Sequence, residues 1–117
     1  MANTFRNAAV SDVSSGSYDT LYTAPGSSGG TEQVVVLGLA IANKTSAAVT
    51  VKVQLTDTSN SSATYQLLED VSIPANTTLE TLAGQKYILE AADILKVQAG
   101  TGSALDCVLA VMEKTTS

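Results

Sequence analysis

Acidic side chains are the groups in this sequence with the clearest chemical potential. Paired carboxylates can hydrolyse glycosidic bonds, and carboxylates clustered in a loop can bind calcium. The acidic residues near predicted turns and strand ends are Asp57, Glu69, Asp70, Glu80, Glu90, Asp93 and Asp106. They do not follow the spacing of a calcium-binding loop, and acidic residues that flank turns are commonly just solvated. We therefore expect no metal site and no cofactor.

Other catalytic groups are missing or isolated. The sequence contains no histidine, which is the commonest general base and metal ligand near neutral pH, so histidine-activated serine and cysteine nucleophiles are excluded. The one cysteine, Cys107, lies in the apolar run LDCVLAVM and is predicted to be a buried small hydrophobic residue. The sequence GSSGG at 26–30 is predicted to be a loop. We predict that the protein is not an enzyme.

The charge balance also limits the partners. Six basic residues against eleven acidic ones give a net charge of −5, and the basic residues are scattered along the chain. Binding to phosphate groups needs clustered lysine and arginine, so we expect neither nucleic acid nor a membrane as a partner. No export signal and no membrane-spanning run is recognisable, and synthesis in a cytoplasm is the expectation. The N-x-S/T sequences at Asn43, Asn60 and Asn76 are predicted to be plain turn residues.

Strands must position these residues, because apolar and polar side chains alternate strictly between Ala47 and Asp57. The apolar set is Val49, Val51, Val53 and Leu55, and the polar set is Thr50, Lys52, Gln54 and Thr56. Side chains on a strand alternate between two faces, so this period of two predicts a half-buried antiparallel strand. We expect its polar face to meet solvent or a wet contact, never a catalytic pocket.

Two other segments are apolar on both faces. Residues 33–43 read QVVVLGLAIAN, and residues 104–113 alternate Leu105, Cys107, Leu109 and Val111 with Asp106, Val108, Ala110 and Met112. Such segments are typical of central strands covered from two sides, or of a strand that bends at Gly38. We expect some of the extra apolar surface to face another subunit. The short turn after Asn43 predicts that the strand at 33–43 pairs antiparallel with the strand at 47–57.

The remaining pattern completes an all-β fold. Short strands are predicted at 18–24, 63–73, 79–82, 86–89 and 94–99, with a helix over 82–95 as a weaker alternative because Gly84 falls inside it. About seven to nine strands separated by turns predict a single antiparallel β-sandwich, immunoglobulin-like or jelly-roll-like. We expect an extended N-terminal arm at 1–17, the sandwich at 18–114 and a tail at 115–117. The arm would add an edge strand either to its own domain or to a neighbour.

The order of several strand and turn phrases supports a family resemblance. The phrases are YDTLYTAP, VVVLGLAIAN, VTVKVQL, VSIPANTTLETLAGQKYILEAADILKV and LAVMEKT, which together span Tyr18 to Thr115. This order resembles a family of small virion structural proteins of tailed bacteriophages. The resemblance implies a β-sandwich that decorates or stabilises a particle through symmetric copies and an N-terminal arm. The family has no catalytic residues to transfer to this chain.

These observations lead to a functional expectation. We expect a capsid decoration or cement protein, made in the host bacterial cytoplasm and located in the virion. Its partners would be copies of itself, in a trimer or another cyclic oligomer, and the major capsid protein or another virion protein. The alternatives are a neck, tail or fibre protein and a carbohydrate- or host-surface-binding module. The candidate interface residues are Phe5, Arg6, Val10, Tyr18, Tyr22, Tyr65 and Tyr87.

Overall fold

Alternating side-chain patterns place almost all of the regular structure in strands. The computed structural model describes residues 2–26, 33–58, 63–81 and 87–115. These residues form nine strands: β1 (Ala2–Val10), β2 (Asp19–Thr23), β3 (Gln33–Asn43), β4 (Val49–Asp57), β5 (Ala63–Ile73), β6 (Thr78–Thr81), β7 (Tyr87–Glu90), β8 (Ile94–Ala99) and β9 (Leu105–Thr115). The all-β prediction is confirmed.

The strands form two antiparallel sheets that pack as a sandwich. In the first sheet the order is β1-β9-β3, and the free side of β3 pairs with β7 along its first half and with β6 along its second half. In the second sheet the order is β2-β8-β4-β5. The predicted antiparallel sandwich is therefore confirmed.

One face of each sheet supplies the core. In the first sheet β3 and β9 contribute most of it, and in the second sheet β4 and β8 do. The buried apolar side chains of these four strands are Val34, Val36, Leu39, Ile41, Leu105, Cys107, Leu109, Val111, Val49, Val51, Val53, Leu95, Val97 and Ala99. Their β-branched and leucine side chains pack well between pleated surfaces, which explains how a core with few aromatic residues forms.

A β-bulge in β3 decides which residues reach that core. The register between β3 and β9 shifts between Val36 and Gly38, so Leu37 is an extra residue. Before the bulge Val36 points inward, and after it Leu39 does. Without the extra residue the inward positions would fall on Gly38 and Ala40, which are too small to fill the core. Where we predicted a bend at Gly38, the strand therefore has a bulge, and this bulge exchanges the inward and outward side-chain positions of the residues that follow it.

The predicted pairing of β3 with β4 is wrong. β3 pairs with β9, β6 and β7, whereas β4 pairs with β5 and β8 in the other sheet. Both strands carry an apolar face that must be covered, and packing the two faces against each other buries more apolar surface than pairing the strand edges. The segment after Asn43 therefore crosses from one sheet to the other instead of forming a hairpin.

The buried side chain of Asn43 holds this crossing. Its Nδ2 donates hydrogen bonds to the carbonyl oxygens of Ala47 (2.9 Å), Ile73 (3.0 Å) and Pro74 (3.2 Å). Its Oδ1 accepts hydrogen bonds from the backbone N and the hydroxyl of Thr45, at 2.9 and 2.7 Å. The side chain is thus saturated. Asn43 was predicted to be a plain turn residue, but it is the buried last residue of β3, and its side chain holds the turn that follows.

The N-terminal segment belongs to the first sheet. β1 pairs with β9 from Ala2 opposite Thr115 to Val10 opposite Cys107, which is the first of the two arrangements that the sequence left open. Val13, further along, is fully buried in the core, and its backbone N donates a hydrogen bond to the carbonyl oxygen of Leu105 at 3.0 Å. Residues 2–13 are therefore tied to the sandwich along their whole length.

The structure also tests our predictions for β4 and for residues 82–95. Thr56, which we expected on a solvent-facing side, is only 8% exposed. It lies in register between Ile94 of β8 and Thr64 of β5, and its short side chain does not reach past them as Lys52 does.

Strands β7 and β8 occupy the described part of 82–95, which excludes the alternative helix there. The described residues contain no helix long and apolar enough to cross a membrane.

The buried hydroxyl of Thr56 gives a stability prediction. Within the described part of the chain, Thr56 Oγ1 is buried and makes no hydrogen bond. Replacing it by a methyl group of the same shape removes that unsatisfied polar atom, so Thr56→Val should raise the free energy of unfolding by about 1 kcal/mol in urea titrations. Thr64→Val, at the exposed position opposite, is the control and should change it by less than about 0.5 kcal/mol. A loss of stability in Thr56→Val would contradict this assignment.

Candidate interaction surface

The outer face of the first sheet carries a continuous apolar row. Four side chains lie side by side across it, one from each neighbouring strand: Phe5 of β1, Met112 of β9, Val35 of β3 and Ile88 of β7. Phe5 is 72% exposed and Ile88 is 54% exposed. Single exposed apolar residues are normal on a protein surface, but a row that crosses four strands is a contiguous patch.

The patch extends along the strands beyond this row. Ala110 lies between Gly38 of β3 and the exposed Asn7 of β1, which is the one polar side chain inside the patch on β1. Val108 lies beside both Ala9 and Ala40. The bulge adds Leu37, whose side chain is 39% exposed. We call the whole set the apolar face: Phe5, Ala9, Val35, Leu37, Ala40, Ile88, Val108, Ala110 and Met112.

A shallow depression lies in the middle of the apolar face. Its volume is about 330 Å³, and Leu37, Gly38, Ala40, Val108 and Ala110 are among its lining residues. A Cβ placed on Gly38 would meet no atom within 4 Å, so the glycine leaves open space there instead of relieving a clash. Small residues next to the protruding Leu37 give the face both a knob and a hole.

Charged residues surround the apolar face. Lys114 and Glu90 flank Gln33 at one end, Asp106 lies at the other end of β9, and Glu80 lies beside Ala40. The Nζ of Lys44 lies 3.1 Å from the carboxylate of Asp106. The backbone N–H of Asp12 and the Lys44 ammonium hold the pKa of Asp106 below its usual value. An apolar centre with a charged rim is the usual anatomy of a protein interface.

The outer face of the second sheet is polar by comparison. The Nζ of Lys52 lies 2.9 Å from the carboxylate of Glu69 and 3.2 Å from that of Asp70, and these hydrogen bonds raise the pKa of Lys52. The Nε2 of Gln54 donates to the Oε1 of Gln66 at 2.8 Å. Lysine, glutamine and carboxylate side chains that satisfy one another need no partner. The two outer faces of the sandwich therefore have different chemical characters.

The candidate residues of the N-terminal strand do not share one surface. Phe5 belongs to the apolar face, whereas Val10 is half-buried and packs against the core. Arg6 donates a hydrogen bond from Nε to Glu113 Oε1 at 2.7 Å. Glu113 is only 8% exposed, and its other oxygen accepts a hydrogen bond from the hydroxyl of Tyr22. This contact joins β1, β9 and β2, so it fastens the two sheets together at their open edge.

The tyrosines are likewise distributed. Burial and the hydrogen bond to Glu113 raise the pKa of Tyr22 well above its usual value, which marks it as a structural residue. The hydroxyl of Tyr18 accepts a hydrogen bond from Gln66 at 3.3 Å on the second sheet. Tyr65 is 47% exposed on β5, at the opposite edge of that sheet from Tyr22. The side chain of Tyr87 lies outside the described residues.

The fold brings together three acidic residues whose spacing gave no warning of it. Carboxylate oxygens of Asp57, Glu90 and Asp93 all lie within 4.8 Å of one another, which is close enough to share a cation. The oxygens of Asp93 accept hydrogen bonds from the backbone N of Thr58 at 3.1 Å and of Glu90 at 2.9 Å. Asp93 is 2% exposed, and these bonds explain its burial as part of the turn between β7 and β8.

The apolar face was predicted only in outline. The two-faced apolar runs at 33–43 and 104–113 indicated surplus apolar surface, and the structure places these runs on adjacent strands with that surplus exposed. Ile88 was missed because β7 is short and its neighbours in sequence gave no clear period. Comparison with protein-family models, with curated proteins and with solved structures finds no match to this chain.

A matched pair of variants tests which side of β9 faces outward. Val108 is 49% exposed and Val111 is fully buried, so the same change should have opposite consequences. Val108→Lys should alter the free energy of unfolding by less than about 0.5 kcal/mol, while Val111→Lys should lower it by more than about 3 kcal/mol because it buries an unpaired charge. Chemical denaturation followed by circular dichroism measures both. Equal losses in the two variants would contradict the assignment.

The thiol of Cys107 should be inert in the folded chain. Burial, with a smaller effect of the negative charges of Asp106 and Asp19, raises its pKa to about 12. The reactive form is the thiolate, so at about pH 8 Ellman's reagent should label the folded protein at least about 100-fold more slowly than the urea-unfolded protein. Cys107→Ala, which should release no chromophore in either state, is the control. Equal labelling rates in the folded and unfolded states would show that the thiol is accessible.

Proposed function

We propose that this protein is a non-enzymatic structural protein of a bacteriophage virion, and that it decorates and stabilises the capsid by surface contacts. The observation that carries the proposal is the apolar face. A side chain such as Phe5, 72% exposed beside other apolar groups, lowers the free energy of the chain when a partner covers it. Assembly on a shell would supply that cover in many copies.

Two features of the chain support a role in assembly. The two outer faces differ, so the sandwich has one adhesive side and one side suited to solvent. The buried side chains of the core and the Arg6–Glu113–Tyr22 contact hold the apolar face on a rigid support. A preorganised surface loses little conformational entropy when it docks, and binding only to the assembled shell stabilises that shell by mass action.

The resemblance of the sequence to small virion proteins of tailed bacteriophages suggests the setting. The proposed partners are the major capsid protein or another virion protein, and other copies of this chain in a trimer or another cyclic oligomer. The contact would include Phe5 from the N-terminal segment, which is a candidate interface residue that the apolar face contains. If the protein instead belongs to the neck, the tail or a fibre, imaging of particles would show it there and not on the capsid.

The test uses particles of a tailed phage whose genome encodes this chain. The purified chain should co-sediment with particles that lack it, and immuno-electron microscopy should place it over the capsid surface. Val108→Lys should weaken co-sedimentation about tenfold or more, because it places a charge in the centre of the apolar contact. Absence of the chain from purified particles would exclude a virion role, and labelling only at the tail would favour the alternative location.

A matched control separates contact from folding. Ser72→Arg introduces a positive charge at an exposed position of β5, on the second sheet, and should leave co-sedimentation unchanged. Both variants must retain the circular dichroism spectrum of the unmodified chain. Equal losses of binding in Val108→Lys and Ser72→Arg would show that the apolar face is not the contact.

A further inference from the structure

The apolar face is arranged so that it can match a second copy of itself. On the outward side of β9 the sequence runs Asp106, Val108, Ala110, Met112, Lys114. Ala110 lies in the middle, with an apolar residue on each side and a charge of opposite sign at each end. A two-fold axis that crosses the strands at the level of Ala110 would reverse β9 of one copy over β9 of the other. Such an axis brings unlike ends together.

Charge complementarity at the ends favours this arrangement. Lys114 of each copy would lie over the Asp106 end of the other, and Glu90, two strands from Lys114 at the same end, would lie over Thr78. The ammonium of Lys44 is shared between Asp12 and Asp106, so that end keeps a net negative charge despite its internal salt bridges. Packed sheets usually cross at about 30°, and the resulting sideways displacement of the ends is within the reach of an extended lysine side chain.

The shape of the face agrees with the same axis. Leu37 forms one wall of the depression, and Gly38, Ala40, Val108, Ala110 and the carboxylate-bearing Glu80 are among its other lining residues. The two-fold operation carries Leu37 of each copy over the depression of its mate. The knob and the hole thus fill each other twice, which is the self-complementarity that an isologous contact requires.

The size of the face is sufficient for a specific contact. Four strands at about 4.8 Å, and the eight residue steps from Asp106 to Lys114 at about 3.4 Å each, give a face of about 500 Å². Two such faces bury about 1,000 Å² in total, which is the lower limit for a specific protein interface. The contact is therefore large enough for a dimer that forms and dissociates.

We propose that two copies of this chain associate through their apolar faces into a two-fold symmetric dimer, with β9 antiparallel over β9 and with Lys114 paired with Asp106 at both ends. This inference rests on the proposed function in one respect, since it names the partner of the surface that we assign to assembly. Among the cyclic oligomers that we expected, it selects a two-fold symmetric dimer and names the residues that form its contact. Because the dimer covers the apolar face of each copy, it would be the form of the free chain, and docking on a particle would replace the second copy at that face.

Charge-reversal variants test the pairing directly by sedimentation equilibrium. The unmodified chain should form dimers, and Lys114→Glu and Asp106→Lys should each weaken self-association about tenfold at low salt, because each places like charges together at both ends. An equimolar mixture of the two variants should form a heterodimer with nearly the original affinity, since both ends then carry opposite charges. Failure of the mixture to restore association would overturn the proposed axis.

A second variant keeps the test valid if Asp106→Lys does not fold. Ala110→Arg places two positive charges face to face on the axis and should abolish the dimer, while Ser72→Arg on the second sheet should leave it intact. A chain that stays monomeric up to about 100 µM would overturn the inference. Unchanged self-association of the Ala110→Arg variant would overturn the inference as well.

The outcomes also separate this inference from the proposed function. A monomeric chain whose binding to particles is still weakened by Val108→Lys would leave the assembly role in place and remove the dimer. A dimer that breaks in Ala110→Arg, in a chain absent from phage particles, would leave the dimer in place and remove the virion role.

Discussion

One extra residue in β3 determines which of its side chains fill the core of the sandwich and which form the outer face of the first sheet. A strand has only two faces, and β3 carries more large apolar side chains than a single face can accept. The bulge at Leu37 turns Leu39 and Ile41 into the core and leaves Leu37 outside, next to Gly38. The same shift therefore fills the interior and shapes the exterior. Without it, small residues would line the core and large ones would face solvent.

The local pattern predicted the strands well and their partners less well. The strict alternation in β4 and the apolar runs of β3 and β9 fixed the position of each strand, because side-chain period is a property of the strand itself. The pairing of β3 with β4 was wrong, since a short connection is equally compatible with a hairpin and with a crossing between sheets. The buried amide of Asn43, with hydrogen bonds to Ala47, Ile73 and Pro74, decides for the crossing. Ile73 and Pro74 are 30 and 31 residues away from Asn43 in the sequence, so no local pattern could announce these two acceptors.

The surface could be anticipated in kind but not in composition. The surplus of apolar residues in β3 and β9 indicated an exposed contact, and Phe5 was among the candidates. The continuous row with Met112, Val35 and Ile88 depends on the register of four strands, which only the folded chain defines. Tyr22 shows the converse. Its aromatic ring suggested a contact surface, yet its hydroxyl reaches the buried carboxylate of Glu113 and becomes part of the framework.

The pairing of β1 with β9 has a consequence for how the molecule is made. The first strand of the described chain to leave the ribosome has the last one as its partner in the first sheet, and Val10 is joined to Cys107 across most of the sequence. Contacts of such long range slow folding, because the loop between them must close first. β1 therefore has no native partner strand until β9, the last of the described strands, has been synthesised. Its asparagines, threonine and arginine keep the waiting segment soluble, and completion of the sheet becomes a late event of biosynthesis.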